Sequence, residues 1–152
     1  MSHTTLRTFI ASSIRRAVQI SVLSTAAHYA SAAGVLNIDI QDLRKASGQL
    51  MIQLVDSQDA YDAKAKPVAR KSIEVSALGD LQTEFTDLEP GSYAVMIIHD
   101  ENSNGKLDSN SLGIPQEGYG FSNNPNVMRK PTFDETKFDI KDGNNSIVIS
   151  ML

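Results

Sequence analysis

From residue 34 onward apolar and polar positions alternate with a period of two, in short runs rich in β-branched and aromatic residues, and no long stretch carries a helical repeat. Leu36, Ile38 and Ile40 make one run, Leu50, Ile52 and Leu54 the next, then Ile73 and Val75, then Leu81, Thr83 and Phe85. Successive side chains of a strand point to opposite faces, so each run predicts a strand with one face toward a core. Tyr93 to His99 is almost wholly apolar, as in a central strand covered on both sides, and Phe138/Ile140 and Ile147/Ile149/Met151 close the chain. The expected fold class is all-β: a seven-stranded antiparallel β-sandwich with one long ordered loop.

The connections carry their own signals. Glu89-Pro90-Gly91-Ser92 has Pro and Gly where a type II turn prefers them, which predicts a hairpin joining Phe85–Leu88 to Tyr93–His99. Residues 57–70 are polar and read as a surface connection, with room for one helical turn before Pro67.

The first 32 residues differ in character. Arg7, Arg15 and Arg16 precede a weakly apolar stretch from Ala17 to Ala27, followed by small residues through Ala32, and no Asp or Glu occurs there. That is the order of a secretory leader, so the expected organisation is a cleavable signal peptide over 1–32 and a single β-sandwich domain over 33–152. The apolar run is too short and too polar to span a bilayer, and no membrane insertion is expected once the leader is gone. The expected location is the periplasm or the medium. The absence of cysteine excludes disulfides, thiolate metal sites and a cysteine nucleophile. Residues 33–152 hold eleven Lys and Arg against eighteen Asp and Glu, a net charge of −7. Such a body repels phosphate backbones and anionic lipid, which argues against nucleic acid as a partner. A monomer is expected.

Candidate chemistry concentrates in residues 100–131, where the strand pattern stops. Leu112, Ile114, Tyr119 and Phe121 stand among Gly113, Pro115, Gly118 and Gly120, the mixture of a folded loop rather than a solvated tether. Asp100, Asn102, Asn104 and Gly105 match the opening of a calcium loop, D-x-[DN]-x-[DN]-G. Alternate oxygens at the first, third and fifth positions converge on one hard cation, glycine permits the sharp turn, the Lys106 carbonyl joins, and Asp108 adds a further oxygen. Ser111 occupies the twelfth position in place of the usual bidentate Glu, which leaves Glu117 as the candidate replacement. The expected cofactor is therefore Ca2+, held by Asp100, Asn102, Asn104, Lys106, Asp108 and Glu117; the alternative is that these Asp and Asn residues only cap turns. Tyr119 and Phe121, with Asn123 and His99, form the candidate ligand surface, the alternative being that the two rings anchor the loop as its own small core. No catalytic residue is assigned: His99 lacks a nucleophile motif, and a metal-assisted hydrolase using Glu117, Asp100 and His99 is the rival reading.

Three segments, Asp87–Ala94, His99–Asp108 and Gly113–Asn123, together resemble the bacterial family known as domain of unknown function 2141, over roughly residues 48–140. The resemblance implies an exported β-fold and no particular activity. The Pro-Gly-x-Tyr segment and the Asp/Asn/Gly loop are also similar to prealbumin-like, immunoglobulin-like and collagen-adhesin B-type sandwich modules, an analogy that licenses no activity. The expected function is an exported module that binds calcium and uses the adjacent aromatic segment to recognise a protein, a glycan or an envelope component, with a purely structural envelope role as a further alternative.

Overall fold

The computed structural model describes residues 33–152, and the expected leader lies outside the described residues. Eight strands and two single-turn helices follow in the order β1 (Gly34–Gln41), β2 (Gln49–Val55), α1 (Gln58–Tyr61), β3 (Ala69–Glu74), β4 (Leu81–Leu88), β5 (Gly91–Asp100), β6 (Gly118–Phe121), α2 (Phe133–Thr136), β7 (Phe138–Ile140) and β8 (Gly143–Ser150). They form a three-stranded sheet ordered β4-β1-β8 and a five-stranded sheet in which β3-β2-β5-β6 run in order while β7 pairs with the start of β5. The two sheets share one core, as the alternation predicts for a sandwich. Leu36, Ile38, Ile40 and Ile149 face Leu50, Ile52, Leu54, Val95 and Ile97, all essentially without solvent contact.

The all-β expectation holds, with four differences in detail. The sandwich is mixed rather than antiparallel, because β8 runs parallel to β1 in an unbroken register from Gly34↔Gly143 to Gln41↔Ser150. It has eight strands rather than seven, since β6 forms inside the segment read as a loop and pairs with β5 from Met96↔Phe121 to His99↔Gly118.

The expected hairpin does not form: β4 pairs with β1 and β5 with β2, in opposite sheets. Leu88 and Tyr93 are both buried in the shared core, so the chain crosses from one sheet to the other at Glu89-Pro90, and the Tyr93 hydroxyl donates to the Glu89 carbonyl at 2.8 Å. Gly91 begins the new strand, and the left-handed residue of this corner is Asp87, at φ 59°.

The connection 57–70, expected at the surface, instead contributes Ala60 and Tyr61 to a second core with Val55, Ala94 and Phe133 on the outer face of the five-stranded sheet. Ser57 caps α1, whose short polar surroundings conceal the two apolar residues from a periodicity reading. The Tyr61 ring meets Phe133 edge to face, carries Lys130 over its own face at 4.4 Å, and donates its hydroxyl to the Pro131 carbonyl at 2.8 Å. A capping box at Thr132 and Glu135 starts α2. As a result β5 is covered on both faces only along part of its length. Tyr93, Ala94 and Val95 are fully enclosed, whereas Met96 and Ile98 are half-buried on the outer face.

Arg129 grips Glu135 through two N–H···O contacts of 2.7 and 2.8 Å. That guanidinium, followed by the Thr132 backbone N–H, draws the Glu135 carboxyl from 4.5 down to about 2. Its folded value lies below its unfolded one, so the contribution is complete above about 4.5 and disappears as pH falls through about 2. Carbon-detected NMR titration is expected to place Glu135 near 2, and Arg129→Ala to return it toward the ordinary range; an unmoved midpoint in the variant would remove Arg129 as the cause.

Candidate functional site

The loop between β5 and β6 is built on carboxylates that the fold takes out of water. Asp100, the last residue of β5, is completely buried. Its Oδ1 accepts the Asn104 N–H at 2.9 Å, and its Oδ2 accepts the Gly105 N–H at 2.8 Å and the Gln49 side-chain amide at 3.1 Å. Burial alone raises this carboxyl, but the Gln49 amide and the N–H groups of Gly105, Asn104 and Ser103 outweigh it, and its pKa lies below the ordinary value. Gln49 is itself oriented by the Ser72 hydroxyl at 2.6 Å. Left-handed backbone at Ser103 and Gly105 turns the chain tightly around this anchor.

Each subsequent Asn repeats the device. Asn102 Oδ1 accepts the Asn104 N–H and Asn104 Oδ1 accepts the Lys106 N–H, both at 3.0 Å, so the odd-numbered positions of the motif are all turned to one side of the loop. Their amide nitrogens meet at Asp108 Oδ2, 2.7 Å from Asn102 and 2.8 Å from Asn104, while Lys106 Nζ lies 3.4 Å from Asp108 Oδ1. The Asn102 amide is the largest of the influences that lower the Asp108 carboxyl, ahead of the opposing effect of burial and the further help of Asn104 and Lys106. The spacing thus brings Asp100, Asn102, Asn104, Lys106 and Asp108 into one hydrogen-bonded ring.

Glu117 stands apart from that ring. Its Oε1 accepts the Glu101 N–H at 3.0 Å and its Oε2 the Asp108 N–H at 2.8 Å, so the carboxylate staples the two ends of the loop from beneath. Glu101, also buried, mirrors it by accepting the Gly118 N–H at 3.3 Å, and is held by Arg44 Nε at 2.8 Å and Lys45 Nζ at 2.6 Å. Burial raises the Glu101 carboxyl, but the two cations prevail and it titrates below the ordinary range. Arg44 also donates to the Gln116 carbonyl. No motif marks Glu101, Arg44, Lys45 or Gln49; a charged pair beside a strand end is the only sequence signal, and it does not say which acid the cations meet.

His99 points into the protein. Its Nε2 lies 2.8 Å from the Ser47 carbonyl and therefore carries the ring proton, while Nδ1 has no partner and lies against Gly118. His99, Asp100 and Glu117 are consequently each engaged with different backbone groups. Two shallow depressions of about 460 and 290 Å³, on the outer face of the three-stranded sheet and between β3 and β4, include none of them.

Beyond the ring, Asn110 Oδ1 holds the Leu112 and Ile114 N–H groups, and a bridge between Ser109 and Pro115 closes a turn that leaves Leu112 and Ile114 in solvent. In β6, Gly118 and Gly120 face the core, where a Cβ on Gly120 would come within 2.8 Å of Ile149 and 3.0 Å of the Met151 sulfur. Tyr119 and Phe121 therefore face outward, edge to face at 6.0 Å, beside Ile98 and Met96 on the outer face of the five-stranded sheet. They lie on a strand and not beneath the loop, half-buried. Asn123 donates to the Lys137 carbonyl at 2.8 Å and ties the end of β6 to the approach to β7.

A family model described as "Uncharacterized protein conserved in bacteria (DUF2141)" matches residues 38–148. The chain belongs to the DUF2141 family. The match runs from the middle of β1 into β8, wider than the motifs that carried the resemblance. No curated protein and no solved structure matches the chain, so the prealbumin-like analogy is not confirmed. In this DUF2141 member the loop between β5 and β6 carries a continuous network of side-chain to backbone hydrogen bonds.

Glu117→Gln keeps the shape but turns an amide NH2 toward one of two backbone donors. A loss of about 1–3 kcal/mol in urea unfolding is expected, with faster hydrogen exchange at the Glu101 or Asp108 N–H. Unchanged exchange at both would show that Glu117 does not hold the loop.

Proposed function

We propose that this DUF2141 protein is an exported calcium-dependent recognition module, in which the ion orders the Asp100–Asp108 ring and the outer face around Tyr119 and Phe121 contacts the partner. The observation that supports the reading is the gathering of Asp100, Asn102, Asn104 and Asp108 into one ring, in which the Asn102 and Asn104 amide N–H groups lie 2.7 and 2.8 Å from Asp108 Oδ2. In this reading the ion takes the place of those two N–H contacts and the amides turn their oxygens to it. Among the described residues no three His, Cys, Asp or Glu side chains are grouped as a metal site, and the donors here are carboxylate, amide and carbonyl oxygens. Such a set suits a hard cation such as Ca2+ rather than zinc or copper. Asp100, Asn102, Asn104, Asp108 and the Lys106 carbonyl supply fewer oxygens than the six to eight calcium takes. The ion displaces hydrogen bonds that now occupy the Asp100, Asn102 and Asn104 oxygens, water completes the shell, and Glu117 stays beneath as the staple of the two loop ends. Affinity in the weak extracellular range, about 10⁻⁴–10⁻³ M, follows from the incomplete protein ligand set.

Thermal melting of the chain in chelator, then in rising calcium with magnesium as control, tests the ion. Calcium is expected to stabilise the protein by about 2.7 kcal/mol at a hundredfold excess over Kd, and Asp108→Asn to abolish the response. An identical midpoint at every calcium concentration would leave the Asp/Asn spacing as turn chemistry alone. Export is tested separately by the N-terminus of protein from its native host, expected at Ala33; an intact Met1 there would rule out the leader.

A further inference from the structure

We propose that Asn104 is a covalent self-modification site, at which the folded loop promotes deamidation across the Asn104–Gly105 step. The chain contains one Asn-Gly pair, and the nucleophile and the electrophile there each already have a polar neighbour suited to the step. The nucleophile is the Gly105 backbone nitrogen, whose N–H donates to Asp100 Oδ2 at 2.8 Å, within the reach of a general base. The electrophile is the Asn104 side-chain carbonyl, whose oxygen accepts the Lys106 N–H at 3.0 Å, the distance at which a backbone donor stabilises a developing oxyanion. The leaving nitrogen, Asn104 Nδ2, donates to Asp108 Oδ2 at 2.8 Å, which fixes the side chain, and takes the proton it needs from water.

Gly105 has no side chain to obstruct the approach, nothing stands within 4 Å of where a Cβ would lie, and its φ of +83° is one that L-residues rarely adopt. The loop is exposed, so the cyclic product has room and water has access.

The bond from Gly105 N to Asn104 Cγ forms as the bond from Cγ to Nδ2 breaks. Asp100 takes the proton from Gly105 N while water at the exposed Asn104 side chain protonates the departing nitrogen, which leaves as ammonia. The hydroxide left behind recovers the proton from Asp100 once loss of the Gly105 N–H contact has opened Oδ2. Water then opens the succinimide, and the former asparagine becomes either aspartate or isoaspartate, the latter with one extra methylene in the backbone. Either product adds a carboxylate to the ring. Asn102 has a similar setting, with its Oδ1 accepting a backbone N–H and its Nδ2 on Asp108, but it precedes Ser103, whose Cβ hinders the same attack.

Deamidation requires no calcium, so the test is run in chelator. The full chain is incubated at neutral pH, native and in guanidinium chloride, and peptide mass spectrometry follows the amide-to-acid mass gain at Asn104 and Asn102. Native Asn104 is expected to react about tenfold faster than the unfolded chain, a modest part of what a positioned base contributes, and faster than native Asn102. Asp100→Asn is expected to reduce the native rate to the unfolded one. A native rate equal to or below the unfolded rate would overturn the proposal, as would an Asp100→Asn protein that folds and reacts like the parent. If Asp100→Asn does not fold, the native-to-unfolded ratio of the parent chain decides alone.

Discussion

A carboxylate removed from water must be given hydrogen-bond donors, and this protein buries Asp100, Glu101 and Glu117 together where β5 ends and β6 begins. That requirement organises the whole of the connection between the two strands. Asp100 collects the N–H groups of the turn that follows it, Glu117 collects one N–H from each end of the loop, and Glu101 collects Gly118 together with the cations of Arg44 and Lys45. The segment is ordered although its regular structure is confined to β6, because its backbone donors are also the partners its buried acids need.

The same constraint reaches into the sandwich. Gly48, at φ +77°, lies so close to Asp100 and Glu101 that a Cβ would collide with their backbone, and this lets the link between β1 and β2 close over the end of β5. Arg44, Lys45 and the Ser47 carbonyl all come from that link. A surface link thus becomes the wall behind the loop, and the aromatic pair on β6 is positioned by the strand the loop delivers to the edge of β5.

Much of the fold was legible in alternation. Leu36/Ile38/Ile40 and Leu50/Ile52/Leu54 are buried as their spacing requires, and Ile149 and Met151 close the core. What alternation could not say is which strand pairs with which. β4 and β5 are consecutive and separated by a turn-like Pro-Gly, yet a core between two sheets buries Leu88 and Tyr93 better than a local hairpin would. β6 escaped notice because its core-facing positions are Gly118 and Gly120, which present no apolar side chain to a periodicity reading; only Ile149 and Met151 packed against them reveal why they must be glycine.

The candidate site divides in the same way. Local sequence determined the ring, because Asx side chains bond to backbone two to five residues ahead, and a spacing of two with glycine after the third is enough to turn Asp100, Asn102 and Asn104 to one side. Tertiary structure alone decided the role of Glu117 as a staple, the pairing of Glu101 with Arg44 and Lys45, and the outward aspect of Tyr119 and Phe121. Those depend on which groups the folded chain brings together across separations of many residues and on which of them it desolvates, and neither quantity is written in the spacing of neighbours.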